Sequence, residues 1–397
     1  MTLTLLLDLD DTLLNTNQSI FVPAYFQALS TKLAPHLDAS LVGRALLKST
    51  TAMNQSEDAM RPLRQVFDEV FYPAVGIPAG ALDDEIEQFY SQIFPTLQGI
   101  TSQNPQANPF IDWARSQGFR LVVATDPLLP RAATLQRVRW AGLDPDDFEL
   151  ISTFEDFHFS KTHAAYYAEA LGRLGWYDGP VLMVGNDMER DILPAKRLGL
   201  AAYFVEAEPG SRSGPEAEPR GTLSDLRRYL ESINLSSLTP SFETKDSLLA
   251  IHASTPAVMN SLLGGLDVED WKRRPSSGEW TLTELVCHLR DTEREINHMQ
   301  LNLFSGGDDP FVPRPDTGVW ASQRDYFMED GRLALQEFGA ARFETLGILK
   351  SIPEPDWKRK ARHAIFGPTD FREVVGFMAD HDRMHIQQAF SILKKIR

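Results

Sequence analysis

Apolar residues are spaced in two different ways along this chain. Up to about residue 205 they come in short, nearly unbroken runs, at 3–7, 121–124, 181–184 and 200–205, each separated from the next by a helical pattern. Such runs read as buried strands, and strands alternating with helices predict a doubly wound α/β fold with a parallel sheet. From residue 244 the runs give way to apolar positions recurring every three or four residues over about 244–263, 282–304, 320–350 and 370–395. That spacing predicts four long helices and hence an all-α four-helix bundle. Residues 206–221 are rich in Pro, Gly, Ser and Glu and read as a loop, mobile over 210–215, while 223–233 reads as a helix returning to the sheet. The expected organisation is an α/β domain over 1–235, a linker over 236–243 and the bundle over 244–397.

The first run ends in two carboxylates at alternate positions, Asp8 and Asp10. Alternate residues of a strand point to the same side, and the carboxyl end of a buried parallel strand is where α/β folds place their chemistry. Two acids there repel each other unless a divalent cation lies between them or one stays protonated. The plain alternative is an acid-rich helix N-terminus following a strand. The segment Asp8-Leu9-Asp10-Asp11-Thr12-Leu13 resembles the opening motif of the haloacid dehalogenase-like hydrolases, and three further motifs follow in that family's order. Thr125 ends the second strand. Lys161 opens a helix after a short strand at 149–153, with Thr162 where the family usually has Pro. Gly185-Asn186-Asp187 follows a fully apolar strand, with Asp191 four residues on. Asn186 stands where family members usually carry Asp, which leaves Asp187 as the expected metal ligand, Asp191 orienting it or binding too, and Asn186 as a neutral oxygen.

The resemblance implies an aspartyl-phosphate mechanism. Asp8 would be the nucleophile, Asp10 the acid and then the base, and Thr125 and Lys161 the holders of the phosphoryl oxygens. Mg2+ would sit on Asp8, on Asp10 through its main-chain carbonyl, and on Asp187 and Asp191. An acid at Asp10 argues for phosphate esters, because a halide leaving group needs no proton. The substrate class is a small phosphorylated metabolite. Helical periodicity over about 15–106 matches the family's cap, inserted after the first strand, which excludes water while charge develops on phosphorus. Asn15, Thr16, Asn17 and Gln18 stand at its entry. Arg61 and Arg64 read as surface arginines with a second-anion role as the alternative.

In the last helix Val374, Met378, His381, His385, Gln388 and Ile392 form one stripe; in the second, Leu285, His288, Thr292, Ile296 and Met299 form another. His381 and His385, four apart, are spaced for chelation, though such pairs are also met as incidental core residues. The segments Gly278-Glu279-Trp280-Thr281-Leu282-Thr283-Glu284-Leu285 with His288, and His381-Asp382-Arg383-Met384-His385, resemble the DinB-like superfamily of metal-binding bundles. The resemblance implies that His288, His381 and His385 hold a divalent transition metal, Zn2+ or Ni2+, which imidazole suits equally. It also implies a thiol-dependent transferase using a low-molecular-weight thiol as one alternative activity. A non-catalytic metal-binding or dimerisation module, giving a homodimer through the bundle, is the other. Cys287 points about 100° away from His288 around the helix and is not expected to ligate. Asp308 and Asp309 are weaker candidates.

The net charge of −16 argues against nucleic acid or an anionic membrane as partner. A single cysteine, Cys287, rules out an internal disulfide. The first apolar run lacks a basic region before it and is broken by Asp8, so it does not read as a signal peptide, and no segment is apolar enough to span a bilayer. The expectation is a cytoplasmic enzyme that hydrolyses phosphomonoesters with Mg2+, fused to a metal-binding bundle.

Overall fold

The computed structural model describes residues 2–206, 219–305, 307 and 309–396. The loop expected to be mobile at 210–215 and the candidate Asp308 lie outside the described residues. Residue contacts divide the chain into two compact units, one of residues 1–166, 178–196 and 200–240 and one of residues 167–177, 197–199 and 241–397.

The first unit is built on a parallel sheet. Its strands are β1 (Thr4–Leu7), β2 (Arg120–Val123), β3 (Leu150–Ile151), β4 (Val181–Gly185), β5 (Ala201–Val205) and β6 (Arg220–Gly221), in the order β3-β2-β1-β4-β5-β6. β1 is therefore central and buried along its whole length, which is why its sequence is apolar on both faces. Leu7 pairs with Val123 on one side and Val184 on the other. The chain after β1 thus emerges between the ends of its two neighbours, the crevice where open α/β sheets bind ligands. The predicted strands are all present, and the edge pairing at Arg220–Gly221 is an addition that two residues could not announce.

Helices α1 (Gln18–Leu33), α2 (Ala39–Gln55) and α3 (Leu63–Val75) form the insertion expected after β1. The last stretch of the insertion is irregular, although the sequence shows helical periodicity throughout: Asp83–Gln88 runs into a π-turn and then a 3-10 turn through Ile100. Phe21, Tyr25, Phe89 and Phe94 bury their rings against one another there, so aromatic packing outweighs regular helical hydrogen bonding. Helix α4 (Arg131–Trp140) follows β2.

The second unit holds four long helical segments. They are α5 (Lys245–Leu263), α6 (Leu282–Asp291, extended by a π-turn and a further helix to Leu303), α7 (Gly331–Ser351) and α8 (Phe371–Ile396). Thr281 and Glu284 form a capping box at the start of α6, and Asp370 and Glu373 exchange the same pair of hydrogen bonds at the start of α8. The third helix starts later than the 320 expected. Asp325 sits at a φ of 51°, which interrupts the helix, and Asp330 accepts hydrogen bonds from Arg332 N and Leu333 N to cap a new start. A small sheet of Phe311–Val312, Lys360–His363 and Gly367–Asp370 also lies in this region, where the sequence showed little strand signal.

The bundle interior is not wholly apolar. Arg342 of α7 donates to both oxygens of Glu293 (2.9 and 2.8 Å) and to Asp382 of α8 (3.0 Å), and Thr255 of α5 also donates to Asp382 (3.0 Å). All three charged side chains are 1% exposed. Arg342 holds both carboxyl groups below the usual carboxylate range, against the upward push of burial. Removing the guanidinium strands two buried carboxylates. Arg342→Met is expected to cost about 3–5 kcal/mol in the urea unfolding of this unit, the range for breaking a buried ion pair. The triple variant Arg342→Met, Glu293→Leu, Asp382→Leu should recover part of that loss.

Candidate functional sites

Asp8 follows β1 directly, its main-chain N–H donating to Val184 O at 2.9 Å. Its carboxylate accepts from Lys161 Nζ at 2.6 Å, and the same ammonium also contacts the Asp191 carboxylate. Lys161 is fixed from behind, since its main-chain N–H donates to Asp126 at 3.1 Å. Thr125 lies at the end of β2, where Ser152 Oγ (2.6 Å) and Tyr166 OH (3.0 Å) both donate to its carbonyl oxygen. Asp10 accepts from Thr16 Oγ1 at 2.6 Å and is paired with Arg137 of α4. Asp8, Asp10, Thr125 and Lys161 all line one cavity of about 500 Å³, together with Asn186, Asp187 and Asp191.

The fourth motif divides its work. Asp187 Oδ1 accepts from Glu189 N (2.8 Å) and Arg190 N (3.2 Å), so the expected metal ligand spends one oxygen on capping the turn that follows. Asp191 Oδ2 accepts from Asp187 N at 2.9 Å. Asn186 Oδ1 lies 3.4 Å from the Thr12 hydroxyl that donates to it. Gly185 is required, because a Cβ there would overlap the Asp191 carboxylate.

Three charged residues of this cavity escaped the sequence reading. Asp126 pairs with Arg190, and its burial raises its pKa. Arg137 is buried under the Phe21 ring at 4.7 Å, and that burial lowers its guanidinium to about 10. Asp126 directly follows Thr125 and Arg190 directly precedes Asp191, so both lie beside motif residues. Arg137 sits in an ordinary helical sequence that carries no signal.

Charge decides what the cavity can accept. Its lining carries six carboxylates, from Asp8, Asp10, Asp11, Asp126, Asp187 and Asp191, against three cations, Arg137, Lys161 and Arg190. Burial and the neighbouring Asp8 charge push Asp191 upward. An excess of oxygen donors fits a hard divalent cation such as Mg2+.

In the second unit His288 on α6 and His381 and His385 on α8 come together, with one ligand nitrogen of each within 4.8 Å of the others. His381 Nε2 lies 3.1 Å from both His288 Nε2 and His385 Nε2. His385 Nδ1 lies 2.8 Å from Gln388 Oε1, which fixes the proton on Nδ1 and leaves Nε2 bare. One proton on His381 Nε2 can satisfy only one of its two neighbours, so neutral rings cannot complete this cluster with hydrogen bonds. A cation meeting the lone pairs does so, and the donor set fits a divalent transition metal. Trp280 stacks on His385 with its ring centroid at 6.1 Å. Cys287 is buried, outside the trio, and its thiol is pushed up to about 12. Asp309 pairs with Arg362 at 3.1 Å and is likewise no part of the trio.

Residues 2–199 match the family model for haloacid dehalogenase-like hydrolases, and residues 252–389 match that of the DinB superfamily. The chain is 24% identical over 202 residues to glyceraldehyde 3-phosphate phosphatase of Methanocaldococcus jannaschii, covering 51% of this chain and 83% of that protein. It is 22% identical over 147 residues to YuaE of Bacillus subtilis, covering 34% of this chain and 90% of that protein. Among solved structures it is similar to the four-helix bundle YfiT from Bacillus subtilis, at 18% identity and a TM-score of 0.36, covering 40% of this chain and 90% of that one. Among the described residues no helix is long and apolar enough to cross a membrane.

Burial holds all three imidazoles below their ordinary value, His288 down to about 3. In the unfolded chain they titrate near ~6.5. Below that pH the unfolded state takes up protons the folded rings refuse, so metal-free protein should lose stability from about pH 6.5 downward and show none of this effect above it. Thermal melts at pH 7.5 and 5.5 should show the loss, and the slope should flatten in a His288→Asn, His381→Asn, His385→Asn variant. At pH 7.5, Zn2+ or Ni2+ should raise the melting temperature, and a His381→Ala, His385→Ala variant should not respond.

Proposed function

We propose that this chain, a haloacid dehalogenase-like hydrolase over residues 2–199 and a DinB-superfamily protein over residues 252–389, is a Mg2+-dependent phosphatase of a small phosphorylated metabolite. The reading rests on one observation above the others: a single buried ammonium, Lys161, spans Asp8 and Asp191 at the floor of a cavity that also presents Thr125 and Asp10.

Asp8 is the nucleophile. Lys161 holds its carboxylate in place, and attack on phosphorus forms an aspartyl-phosphate as the ester oxygen leaves. Thr125 and Lys161 take the phosphoryl oxygens and stabilise the charge that builds on them. Asp10 gives the leaving oxygen its proton and then takes one from the water that hydrolyses the intermediate. Arg137 and Thr16 hold the Asp10 carboxyl group in position beside Asp8. Asp8, the Asp10 main-chain carbonyl, Asn186 and Asp191 would hold Mg2+. We assign Asn186 this place over Asp187 because Asn186 Oδ1 reaches Thr12 of the first motif, whereas the Asp187 carboxylate is turned to the N–H groups of the following turn. Bound there, the ion offsets the repulsion between carboxylates and phosphate.

The convergence of His288, His381 and His385 supports a second reading alongside the first. Three imidazoles leave positions open on Zn2+ or Ni2+, as chemistry in the bundle would need, for example activation of a low-molecular-weight thiol.

Asp8→Asn should abolish Mg2+-dependent release of phosphate from p-nitrophenyl phosphate with an unchanged circular dichroism spectrum. Residual wild-type turnover in that variant would remove Asp8 from the mechanism. Asn186→Ala should raise the Mg2+ concentration needed for half-maximal rate by about tenfold, the weight of one lost ligand or its partner. Asp187→Ala should change it less; the opposite ranking would return the ligand role to Asp187.

A further inference from the structure

The catalytic end of the 500 Å³ cavity is crowded with charge, but the end facing the cap is not. There its wall is formed by Phe21, Tyr25, Phe26, Leu46, Phe67 and Leu128. A phosphoryl group held by Thr125 and Lys161 fills only part of this volume, so the rest receives the leaving group.

The cations that line the cavity are committed elsewhere. Lys161 is engaged by Asp8 and Asp191, Arg137 by Asp10 and Arg190 by Asp126. The two arginines that the sequence offered for a second anion do not line it. Arg61 is paired with Asp58 (2.7 Å) and Glu69 (2.6 Å), and Arg64 lies 3.6 Å from Asp68. A carboxylate or second phosphate on the leaving group would enter an aromatic wall with no cation to receive it, at the cost of an unpaired buried charge.

Gln18, Thr50 and Asn54 also line the cavity, and Asn54 is the one among them with a buried acceptor left unpaired. Asn54, near the end of α2, donates from Nδ2 to Thr50 O at 3.1 Å, which fixes the orientation of its amide. Its main-chain carbonyl accepts from His163 Nε2 (2.9 Å) and from Ser160 Oγ (3.3 Å), on either side of Lys161. The residue lines the cavity, and its Oδ1 is buried with no hydrogen-bond partner. A buried acceptor in this state lacks a donor, and a ligand group that reaches it as the cavity fills would supply one.

We propose that the substrate is the phosphomonoester of an uncharged, predominantly apolar alcohol, aromatic or of similar bulk, that carries one hydrogen-bond donor for Asn54 Oδ1. This rests on the phosphatase reading above and narrows it. It excludes leaving groups with a second negative charge, and it disfavours short polyols, which leave the aromatic wall uncovered.

The test uses the full-length protein with Mg2+ and three esters whose leaving alcohols have similar acidity: benzyl phosphate, 4-(hydroxymethyl)benzyl phosphate and 4-carboxybenzyl phosphate. The expected kcat/KM order is hydroxymethyl first, benzyl second and carboxyl last, with the carboxylate at least about tenfold below benzyl because its charge is buried without a partner. Glycerol phosphate should also fall below benzyl phosphate. Asn54→Leu should erase the advantage of the hydroxymethyl ester over the benzyl ester. Val22→Lys, at a half-exposed lining position on α1, should raise the carboxyl ester relative to benzyl. Calorimetric binding of benzylphosphonate and 4-carboxybenzylphosphonate to the wild-type protein reads the same preference without turnover. Asp8-dependent hydrolysis that prefers the carboxyl ester or glycerol phosphate, or equal binding of the two phosphonates, overturns the substrate class and leaves the phosphatase reading standing. No Asp8-dependent hydrolysis of any ester, p-nitrophenyl phosphate included, overturns both.

Discussion

Like charges held close together govern the first unit. Its sheet delivers Asp8 between two neighbouring strand ends, and the fourth motif brings Asp191 against it. The pair is tolerable because Lys161 lies between them, almost wholly buried, and is itself anchored through its main-chain N–H to Asp126. The surrounding contacts follow from that need. Arg190 neutralises Asp126, Arg137 neutralises Asp10, and the hydroxyls of Ser152 and Tyr166 tie down the carbonyl of Thr125 next to them. A site built this way is poised to accept positive charge, and its apolar surroundings raise the strength of every contact within it.

The bundle solves a similar problem with different chemistry. Its most deeply buried carboxylates, Glu293 and Asp382, are balanced inside the fold by Arg342. Its imidazoles are the groups left incomplete. One unit therefore offers hard oxygen donors and the other borderline nitrogen donors, so Mg2+ and a transition metal have different preferred sites in the same chain. Asp382 lies in the buried network while its chain neighbour His381 lies in the trio, so the ion pairs also fix the rotation of α8 that presents the two histidines.

Sequence was most informative where function and periodicity coincide. An apolar run ending in Asp8 and Asp10 has few structural explanations, and the stripe through His381 and His385 gave both a helix and its inward face. Its silence elsewhere has physical causes. Arg137 acts through tertiary proximity to Asp10, 127 positions away along the chain, and nothing in its own helix marks it. Asp187 is ambiguous in sequence, since an acid at that spacing serves a metal or a helix cap equally well, and in the structure one of its oxygens caps the turn. The late start of α7 depends on the positive φ at Asp325, a backbone choice that acidic residues make only in context. The short strands near 311, 360 and 367 have too few residues to show a period.

Trp280 lies face to face with His385 and its ring centroid is 4.9 Å from that of His288. An indole this close to the imidazoles is an optical probe built into the fold. An ion with an unfilled d shell held by the trio would drain its excited state and dim its emission, whereas a filled-shell ion would leave the emission bright and alter only its colour. The side chain packed against the histidines can therefore tell nickel from zinc, with no label attached.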